Sequence, residues 1–241
     1  TQTSYALPLA FHVVDGDLQK KMAAHLAAAI KTPMAGYPAY SLLTGFIGTA
    51  WISKALSDNG MSEEAYRLLQ YEGYPSWLYP VKNGATTIWE RLNSYTVKDG
   101  FGENNSMNSF NHYSFGAVAS WMYNYSLGIC RDEKSPGFKH FILKPEVDPT
   151  RGITHAEGYY DSMYGRIRSR WQYTDSGIRY EFTVPANTTA SLYLPAPAVS
   201  FISENGKPLK KASGVRYVSA DKELHHLELA SGSYQFDIKQ K

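Results

Sequence analysis

IRYEFTVPANTTASLYLP, residues 178–195, decides the fold of the second half of the chain. Apolar and polar residues alternate in it with a period of two, as in strands that bury one face. The apolar positions are Ile178, Tyr180, Phe182 and Val184 in the first run, and Leu192 and Leu194 in the second. Residues 185–189 connect the runs. The stretch therefore predicts two half-buried β-strands.

Neighbouring segments extend the same pattern in both directions. RIRSRWQYTDSGIRY reads as a hairpin with its turn at residues 175–177, and SENGKP and SADKE indicate further turns. The chain ends on a strand in which Tyr234, Phe236 and Ile238 alternate. Several short strands separated by turn residues are typical of an antiparallel β-sandwich, here of roughly a hundred residues.

The first half has a helical period instead. In DLQKKMAAHLAAAI, Leu18, Met22, Leu26 and Ile30 recur every four residues, and Pro33 follows. SLLTGFIGTAWISKALSDNG ends on an Asn-Gly helix stop, MSEEAYRLLQ opens with an acidic helix start, and SFNHYSFGAVASWMYNYSLGI is apolar almost all round, like a buried helix over residues 109–126. These segments predict several stacked helices.

The two halves meet in RDEKSPGF, residues 131–138, which is charged and contains Pro136 and Gly137. The sequence therefore predicts a multidomain α and β protein. Residues 1–130 form a helical domain and residues 131–241 form a β-sandwich domain.

Composition excludes several classes of function. The 241 residues carry a formal charge of +2, without a long Lys/Arg run, so no nucleic-acid footprint is visible. No apolar run reaches the ~18 residues of a membrane span, so we expect a soluble chain without a membrane partner.

Asn104, Asn124 and Asn187 begin N-x-[ST] triplets, which matter only in a glycosylating pathway. The compartment stays open, with a periplasmic or extracellular location favoured over the cytoplasm.

Residues able to build a site concentrate between Tyr74 and His112. GATTIWERLNS, residues 84–94, carries Glu90, the carboxylate of this region whose role the residues alone leave open between chemistry and structure. Candidates for substrate binding are Trp77, Trp89, Asn111 and His112. A glycosidase needs a carboxylate to activate water, a second carboxyl to protonate the leaving oxygen, and side chains that hold the sugar. A surface helix could also carry Trp89, Glu90 and Arg91 for packing and solubility alone, with Glu90 in a surface salt bridge to a nearby Arg or Lys.

GATTIWERLNS and MNSFNHYSFGAVASWMY together resemble the bacterial α-L-rhamnosidases of glycoside hydrolase family 78. LLTGFIGTAWISKALSDNG and EGYPSWLYPVKNGATTIWER resemble the closing helices of the family's (α/α)6 barrel. YDSMYGRIRSRW and VPANTTASLYLP resemble its C-terminal β-sandwich. The resemblance implies the C-terminal half of an (α/α)6 barrel followed by a sandwich, and an inverting hydrolysis of terminal α-L-rhamnose without a cofactor.

The resemblance also implies roles for individual residues. Glu90 would be the general base, His112 would hydrogen-bond the sugar, and Trp89 would help to shape the site. Leu92 stands where the family pattern has Trp, which questions a stacking role at that position.

The family's general acid lies in an acidic, Trp-containing motif that has no match in these residues. Glu72, Asp99 and Glu103 are near the site motif but lack that context. The chain, which begins without Met, therefore resembles a C-terminal fragment whose partner is the upstream half of the same polypeptide. Half a helical barrel would expose apolar faces, so we expect the helical half to be unstable, and the fragment inactive, without that partner.

Other interpretations remain open. The protein could be a carbohydrate-binding scaffold that lacks turnover, or another (α/α)6 enzyme such as a different glycosidase or a polysaccharide lyase. Gly45, Gly48 and Thr49 in TGFIGT fit no phosphate-loop pattern and indicate a close helix approach at the rim of the site. Tyr159, Tyr160, Tyr164 and Trp171 could bind sugar or pack against the helical domain. The spacing of the histidines predicts no metal site.

Overall fold

The computed structural model of the chain describes residues 1–102 and 106–239. Glu103 and Asn104, both named above from the sequence, lie outside the described residues. The described residues form two compact units.

The units do not divide the chain at a single point. The helical unit contains Thr1–Trp121 and also Asp148–Gly152, whereas the sheet unit contains Met122–Val147 and the chain from Ile153 onward. Asp148 explains why the short segment belongs to the helical unit. Its buried carboxylate accepts a 2.9 Å hydrogen bond from the side-chain amide of Gln70, and 2.9 Å and 2.8 Å bonds from the backbone N–H and the hydroxyl of Thr150.

The helical unit is built from one 16-residue helix and several shorter ones. They are α1 (Gln2–Ala10), α2 (Gly16–Lys31), α3 (Gly45–Thr49), α4 (Ile52–Asp58), α5 (Ser62–Gln70), α6 (Leu78–Lys82), a 3-10 helix (Tyr113–Ala117) and α7 (Val118–Trp121).

Helix α2 does not bury the whole four-residue repeat that the sequence predicts, because Leu18 at its start lies outside the buried face. Leu26 and Ile30 are buried together with Ala23, but Leu18 is 56% exposed. An α-helix turns about 100° per residue, so each step of four residues drifts by about 40°. Leu18 and Ile30, three such steps apart, therefore lie on different faces.

The predicted stop at Asn59 and Gly60 is confirmed. Helix α4 ends at Asp58, Gly60 has φ +73°, and the N–H groups of Gly60 and Met61 donate to the carbonyls of Ser57 and Leu56. The left-handed conformation suits glycine, which has no Cβ to clash. The turn directs the chain into α5, whose first turn carries Glu63 and Glu64.

The segment 109–126 is not the continuous helix that we expected. Residues 109–112 are non-helical, and Tyr113–Ala117 forms a 3-10 helix before α7. A π-helix at Met122–Ser126 follows and belongs to the sheet unit. At residues 109–112 the cause is a contact between two segments, because their backbone is paired with residues 88–90 and cannot form helical hydrogen bonds at the same time.

The sheet unit contains two sheets. Its strands are β1 (Ile129–Arg131), β2 (His140–Leu143), β3 (His155–Ser162), β4 (Gly165–Thr174), β5 (Gly177–Val184), β6 (Thr189–Pro195), β7 (Ile202–Glu204), β8 (Lys207–Pro208), β9 (Val215–Asp221), β10 (Leu224–Leu229) and β11 (Gly232–Lys239). One sheet has the order β1-β2-β6-β10-β9 and the other has β3-β4-β5-β11-β7-β8. All pairs are antiparallel except β2 with β6.

The predicted alternation is confirmed on β5 and β11, whereas β6 also buries Ala190 and Ser191 next to Leu192. Every apolar position expected to be buried in the opening stretch is buried: Ile178, Tyr180, Phe182 and Val184 on β5, and Leu192 and Leu194 on β6. Tyr234, Phe236 and Ile238 on β11 are buried as well. Period-two burial on both sheets is the pattern of a sandwich core, so the expected fold class of a helical half followed by a mainly antiparallel sandwich is confirmed.

No helix within the described residues has the length and hydropathy required to cross a membrane.

Candidate active site

The two motifs of the predicted site are neighbours in the helical unit. The Glu90 N–H donates to the carbonyl of Ser109 at 2.8 Å, and the His112 N–H donates to the carbonyl of Ile88 at 2.9 Å. Residues 88–90 and 109–112 therefore run side by side. The pairing places Glu90 and His112, which are 22 positions apart in sequence, on two adjacent backbone segments.

The carboxylate of Glu90 is held by the same pairing. The backbone N–H of Ser109 donates to Oε2 of Glu90 at 2.9 Å. Glu90 is half-buried, and within the described part of the chain it forms no ion pair with a Lys or Arg. A surface salt bridge, which would have given Glu90 a purely structural role, is therefore not formed among these residues.

Glu90 lies at a cavity of about 330 Å³ within the helical unit. The cavity is lined by Tyr37, Leu42, Leu43, Gly45, Phe46, Tyr74, Pro75, Glu90, Arg91, Leu92, Asn93 and Phe115. Among these described lining residues, Glu90 alone carries a carboxylate. A mainly apolar and aromatic pocket with a few polar groups is the usual form of a small-molecule site.

His112 is not among the lining residues of the cavity, but its ring contacts the lining residue Phe46. The imidazole stacks on Phe46, with the ring centroids 4.7 Å apart and the planes at 18°. Its Nδ1 accepts a hydrogen bond from the backbone N–H of Ser114 at 3.5 Å, which caps the 3-10 helix. An accepting Nδ1 corresponds to the tautomer with its proton on Nε2. That tautomer offers Nε2–H as a donor.

The two candidate tryptophans are buried and are not among the lining residues of the cavity. Trp77 donates from its indole N–H to the carbonyl of Phe115 at 2.8 Å. Trp89 packs edge-on against Phe110 at 5.1 Å and Tyr95 at 6.5 Å. Both side chains support the backbone of the site segments.

Asn111 is exposed, and its backbone N–H donates to Oγ of Ser109 at 3.2 Å. Leu92 occupies the position where the resemblance had suggested a tryptophan. It is buried and lines the cavity with an aliphatic side chain.

Sequence reasoning did not select Tyr37 or Phe46, which come from other segments and meet at the cavity only after folding. The available signal was TGFIGT, which predicted a close helix approach beside the site. That approach is confirmed, because a Cβ on Gly48 would lie 2.3 Å from Oγ1 of Thr3.

Tyr74 also lines the cavity. Burial raises the pKa of its phenol, Tyr37 and Tyr79 raise it further, and Arg91 opposes the increase. The phenol is therefore a neutral hydrogen-bonding group at neutral pH.

The other named carboxylates lie away from the cavity. Glu72 is paired with Lys82 at 3.0 Å on the surface, and Asp99 is an exposed acceptor for Thr96. In the described ranges, no three His, Cys, Asp or Glu side chains are grouped so that they could hold a metal ion.

The four aromatic residues noted in the sheet unit do not form one patch. Trp171 is fully buried and donates to the carbonyl of Ser126 at 2.8 Å, whereas Tyr159, Tyr160 and Tyr164 are exposed. Trp171 is therefore a core residue, and an aromatic sugar-binding patch that includes it is excluded.

Two family models match the chain. One is described as the bacterial alpha-L-rhamnosidase 6 hairpin glycosidase domain and matches residues 1–126. The other is the bacterial alpha-L-rhamnosidase C-terminal domain and matches residues 128–208.

Curated relatives match over nearly the whole chain. An alpha-L-rhamnosidase of Streptomyces avermitilis is 34% identical over 238 residues, which are 99% of this chain and 21% of the relative. One from Alteromonas sp. is 35% identical over 240 residues, covering 99% of this chain and 24% of the relative. The chain thus spans between a fifth and a quarter of the length of these relatives.

A solved structure agrees with the sequence relatives. The crystal structure of a Streptomyces avermitilis alpha-L-rhamnosidase complexed with L-rhamnose has a TM-score of 0.86 and 34% identity, covering 99% of this chain and 22% of that one. Since the glycosidase-domain model covers more than half of the chain, including the paired segments that carry Glu90 and His112, the chain belongs to the bacterial alpha-L-rhamnosidase family.

Proposed function

We propose that this chain is the C-terminal portion of an inverting α-L-rhamnosidase, in which Glu90 is the general base and His112 binds the sugar. The observation that carries the proposal is the position of Glu90, which is the single carboxylate among the described lining residues of an aromatic cavity beside His112. The relatives that match almost the whole chain are named alpha-L-rhamnosidases.

In this mechanism a water molecule attacks C1 of rhamnose on the face opposite the leaving group. Ser109 holds Oε2 of Glu90, so Oε1 is the oxygen that accepts the proton of the water. The hydroxyl of that water becomes the new anomeric hydroxyl, and the aglycone oxygen leaves with a proton from a general acid. The product is β-L-rhamnose.

His112 acts on the substrate by hydrogen bonding. With its proton on Nε2, the imidazole donates to a sugar hydroxyl and fixes the ring relative to Glu90. Trp77 and Trp89 are buried and support the backbone of the two site segments. Asn111 has an exposed amide, which contacts the outer part of a larger substrate in this proposal.

We propose that the general acid comes from a part of the polypeptide outside these residues. An inverting enzyme places its two carboxyl groups roughly 6.5 to 9.5 Å apart, so that water fits between one of them and C1. Glu72 and Asp99 lie outside the cavity, and neither supplies the acid in this proposal. We therefore expect residues 1–241 alone to be inactive.

The helical unit should also depend on that missing part for stability. Its surface exposes many large apolar side chains, among them Phe11, Val13, Ile47, Val81, Val97, Phe101 and Met107. Exposure on this scale is typical of an interaction surface. A monodisperse, cooperatively melting protein from residues 1–241 alone would contradict this expectation.

The test uses the full-length protein and an aryl α-L-rhamnoside, with the product anomers followed by NMR. Glu90→Gln should lower kcat by about 10² to 10⁴, the usual contribution of a general base, while folding and L-rhamnose binding are retained. Glu72→Gln is the matched control, because this carboxylate belongs to the same unit but lies outside the cavity; it should leave kcat unchanged.

Other outcomes separate the alternatives. Undiminished turnover in Glu90→Gln would assign the base to another residue, and α-L-rhamnose as the first product would exclude inversion. Binding without turnover on any glycoside would favour a scaffold. Products that absorb in the ultraviolet would indicate a lyase.

A further inference from the structure

Phe46 is the aromatic residue that links the cavity wall to His112. It lies in the first turn of α3 and lines the cavity at which Glu90 is found. Its ring stacks on the imidazole of His112 at 4.7 Å and 18°, and it meets the ring of Phe115 edge-on at 5.3 Å and 66°. One side chain thus contacts both the sugar-binding histidine and the buried core.

The position of Phe46 is fixed by the packing behind it. A Cβ on Gly48 would lie 2.3 Å from Oγ1 of Thr3, so α3 approaches α1 as closely as glycine permits. The Thr3 hydroxyl donates to the carbonyl of Thr44 at 2.6 Å, just before α3 begins. Phe115, on the other side, is buried. The Phe46 ring is therefore attached to a rigid support.

His112 has little else to orient its ring. Among the described residues, the imidazole takes part in one hydrogen bond, the 3.5 Å contact at Nδ1, which is at the long limit for such a bond. Tyr113 is parallel to it at 6.0 Å but is 83% exposed. The close stacking on Phe46 is consequently the main constraint on the plane of the imidazole.

We propose that Phe46 is a positioning residue, whose ring sets the plane of the His112 imidazole so that Nε2–H points at the bound sugar. The inference rests on the proposed function, because it assumes that His112 binds the substrate. Misplacing a substrate-positioning group by about 1 Å can lower the rate 10²-fold. If Phe46 fixes the plane of the His112 imidazole, replacing Phe46 should lower turnover, although its side chain has no polar atom that could hydrogen-bond the substrate.

The first test is a double-mutant cycle in the full-length protein. Phe46→Leu keeps an apolar side chain but removes the ring, and it should lower kcat/KM by about 10-fold to 100-fold. Phe46→Tyr, which retains the stacking ring, should recover most of that loss. In a His112→Ala background, Phe46→Leu should change kcat/KM by less than about 2-fold, because there is no imidazole left to position.

The matched control is Phe11→Leu. Phe11 also contacts a neighbouring ring, that of Trp51, with the centroids 4.6 Å apart and the planes tilted by 52°, but it does not line the Glu90 cavity. It should leave kcat/KM unchanged in both backgrounds. An equal loss from Phe46→Leu with and without His112 would overturn the inference, since Phe46 would then contact the sugar itself or act only through folding.

A second measurement separates this inference from the proposed function. The crystal structure of the Phe46→Leu protein should show the imidazole rotated away from its plane in the unmutated protein. An unchanged imidazole overturns the positioning role, whatever the activity. If the unmutated protein fails to hydrolyse rhamnosides while the imidazole rotates, the proposed function fails and the control of the ring by Phe46 is retained.

Discussion

Glu90 and Ser109 hold each other through two hydrogen bonds. The backbone N–H of Glu90 donates to the carbonyl of Ser109 at 2.8 Å, and the backbone N–H of Ser109 donates to Oε2 of the Glu90 side chain at 2.9 Å. The carboxylate is thus fixed by a backbone group from the segment that also carries His112. This arrangement orients one oxygen and leaves the other for chemistry.

The first prediction concerns this backbone donor. Ser109→Pro removes the N–H that holds Oε2 and should lower kcat of the full-length protein by about 10-fold to 10²-fold, because the base loses its orientation. Ser109→Ala keeps the N–H and removes only the hydroxyl, so it should stay within about 2-fold of the unmutated kcat. Steady-state kinetics on an aryl α-L-rhamnoside measures both. Equal kcat values for the two variants would show that the hydrogen bond does not orient the base.

The second prediction concerns the core of the sheet unit. Trp171 is fully buried, and its indole N–H donates to the carbonyl of Ser126 at 2.8 Å. Trp171→Phe should lower the free energy of unfolding of this unit by about 1 to 3 kcal/mol, since a buried carbonyl loses its donor and a cavity remains. Hydrogen exchange of strands β4 and β5 measures the loss. The exposed Tyr164→Phe should have almost no effect. Equal protection in all three proteins would show that the indole of Trp171 does not stabilise this unit.

The third prediction concerns the segment Asp148–Gly152. Asp148→Ala removes the acceptor for Gln70 and Thr150, and should lower the local stability of this segment by about 1 to 3 kcal/mol. Limited proteolysis should then cut within residues 148–152 faster than in the unmutated protein. Asp175→Ala, in an exposed turn, is the control and should leave that rate unchanged. Resistance equal to that of the control would show that this carboxylate does not anchor the segment.

The fourth prediction concerns alkaline pH. Burial raises the pKa of the Tyr234 phenol and Glu204 raises it further, and the hydroxyl donates to the carbonyl of Ala230 at 2.8 Å. Above about pH 10 the tyrosine of the unfolded chain ionises while the folded one keeps its proton. The unfolded state then binds fewer protons, so stability is present below pH 10 and falls as pH rises beyond it.

Tyr234→Phe should therefore flatten the decline of the melting temperature between pH 9 and pH 11, while lowering stability at pH 7 by about 1 kcal/mol through the lost hydrogen bond. Tyr159→Phe, at an exposed position, should leave the slope as it is. A steep decline that persists in the Tyr234→Phe protein would assign the alkaline sensitivity to other groups.

Sequence patterns predicted the sheet unit better than the helical one. Alternation on β5, β6 and β11 specified burial correctly, because a period of two makes each strand residue face one side or the other. The four-residue repeat in α2 misplaced Leu18, because the helical period is 3.6. The continuous helix expected over residues 109–126 was wrong. At residues 109–112 the backbone forms hydrogen bonds with Ile88 and Glu90 instead of helical ones.

Local periodicity in the sequence determined the two-part architecture. Contiguous motifs carried the family resemblance, and that resemblance implied the roles of Glu90 and His112. Tertiary structure alone decided that Ser109 holds Glu90, that Phe46 stacks on His112, and that Asp148–Gly152 belongs to the helical unit. Each of these depends on contacts between segments far apart in sequence. No local pattern encodes such a contact, because the hydrogen bonds and ring stacking exist only once packing has brought the segments together.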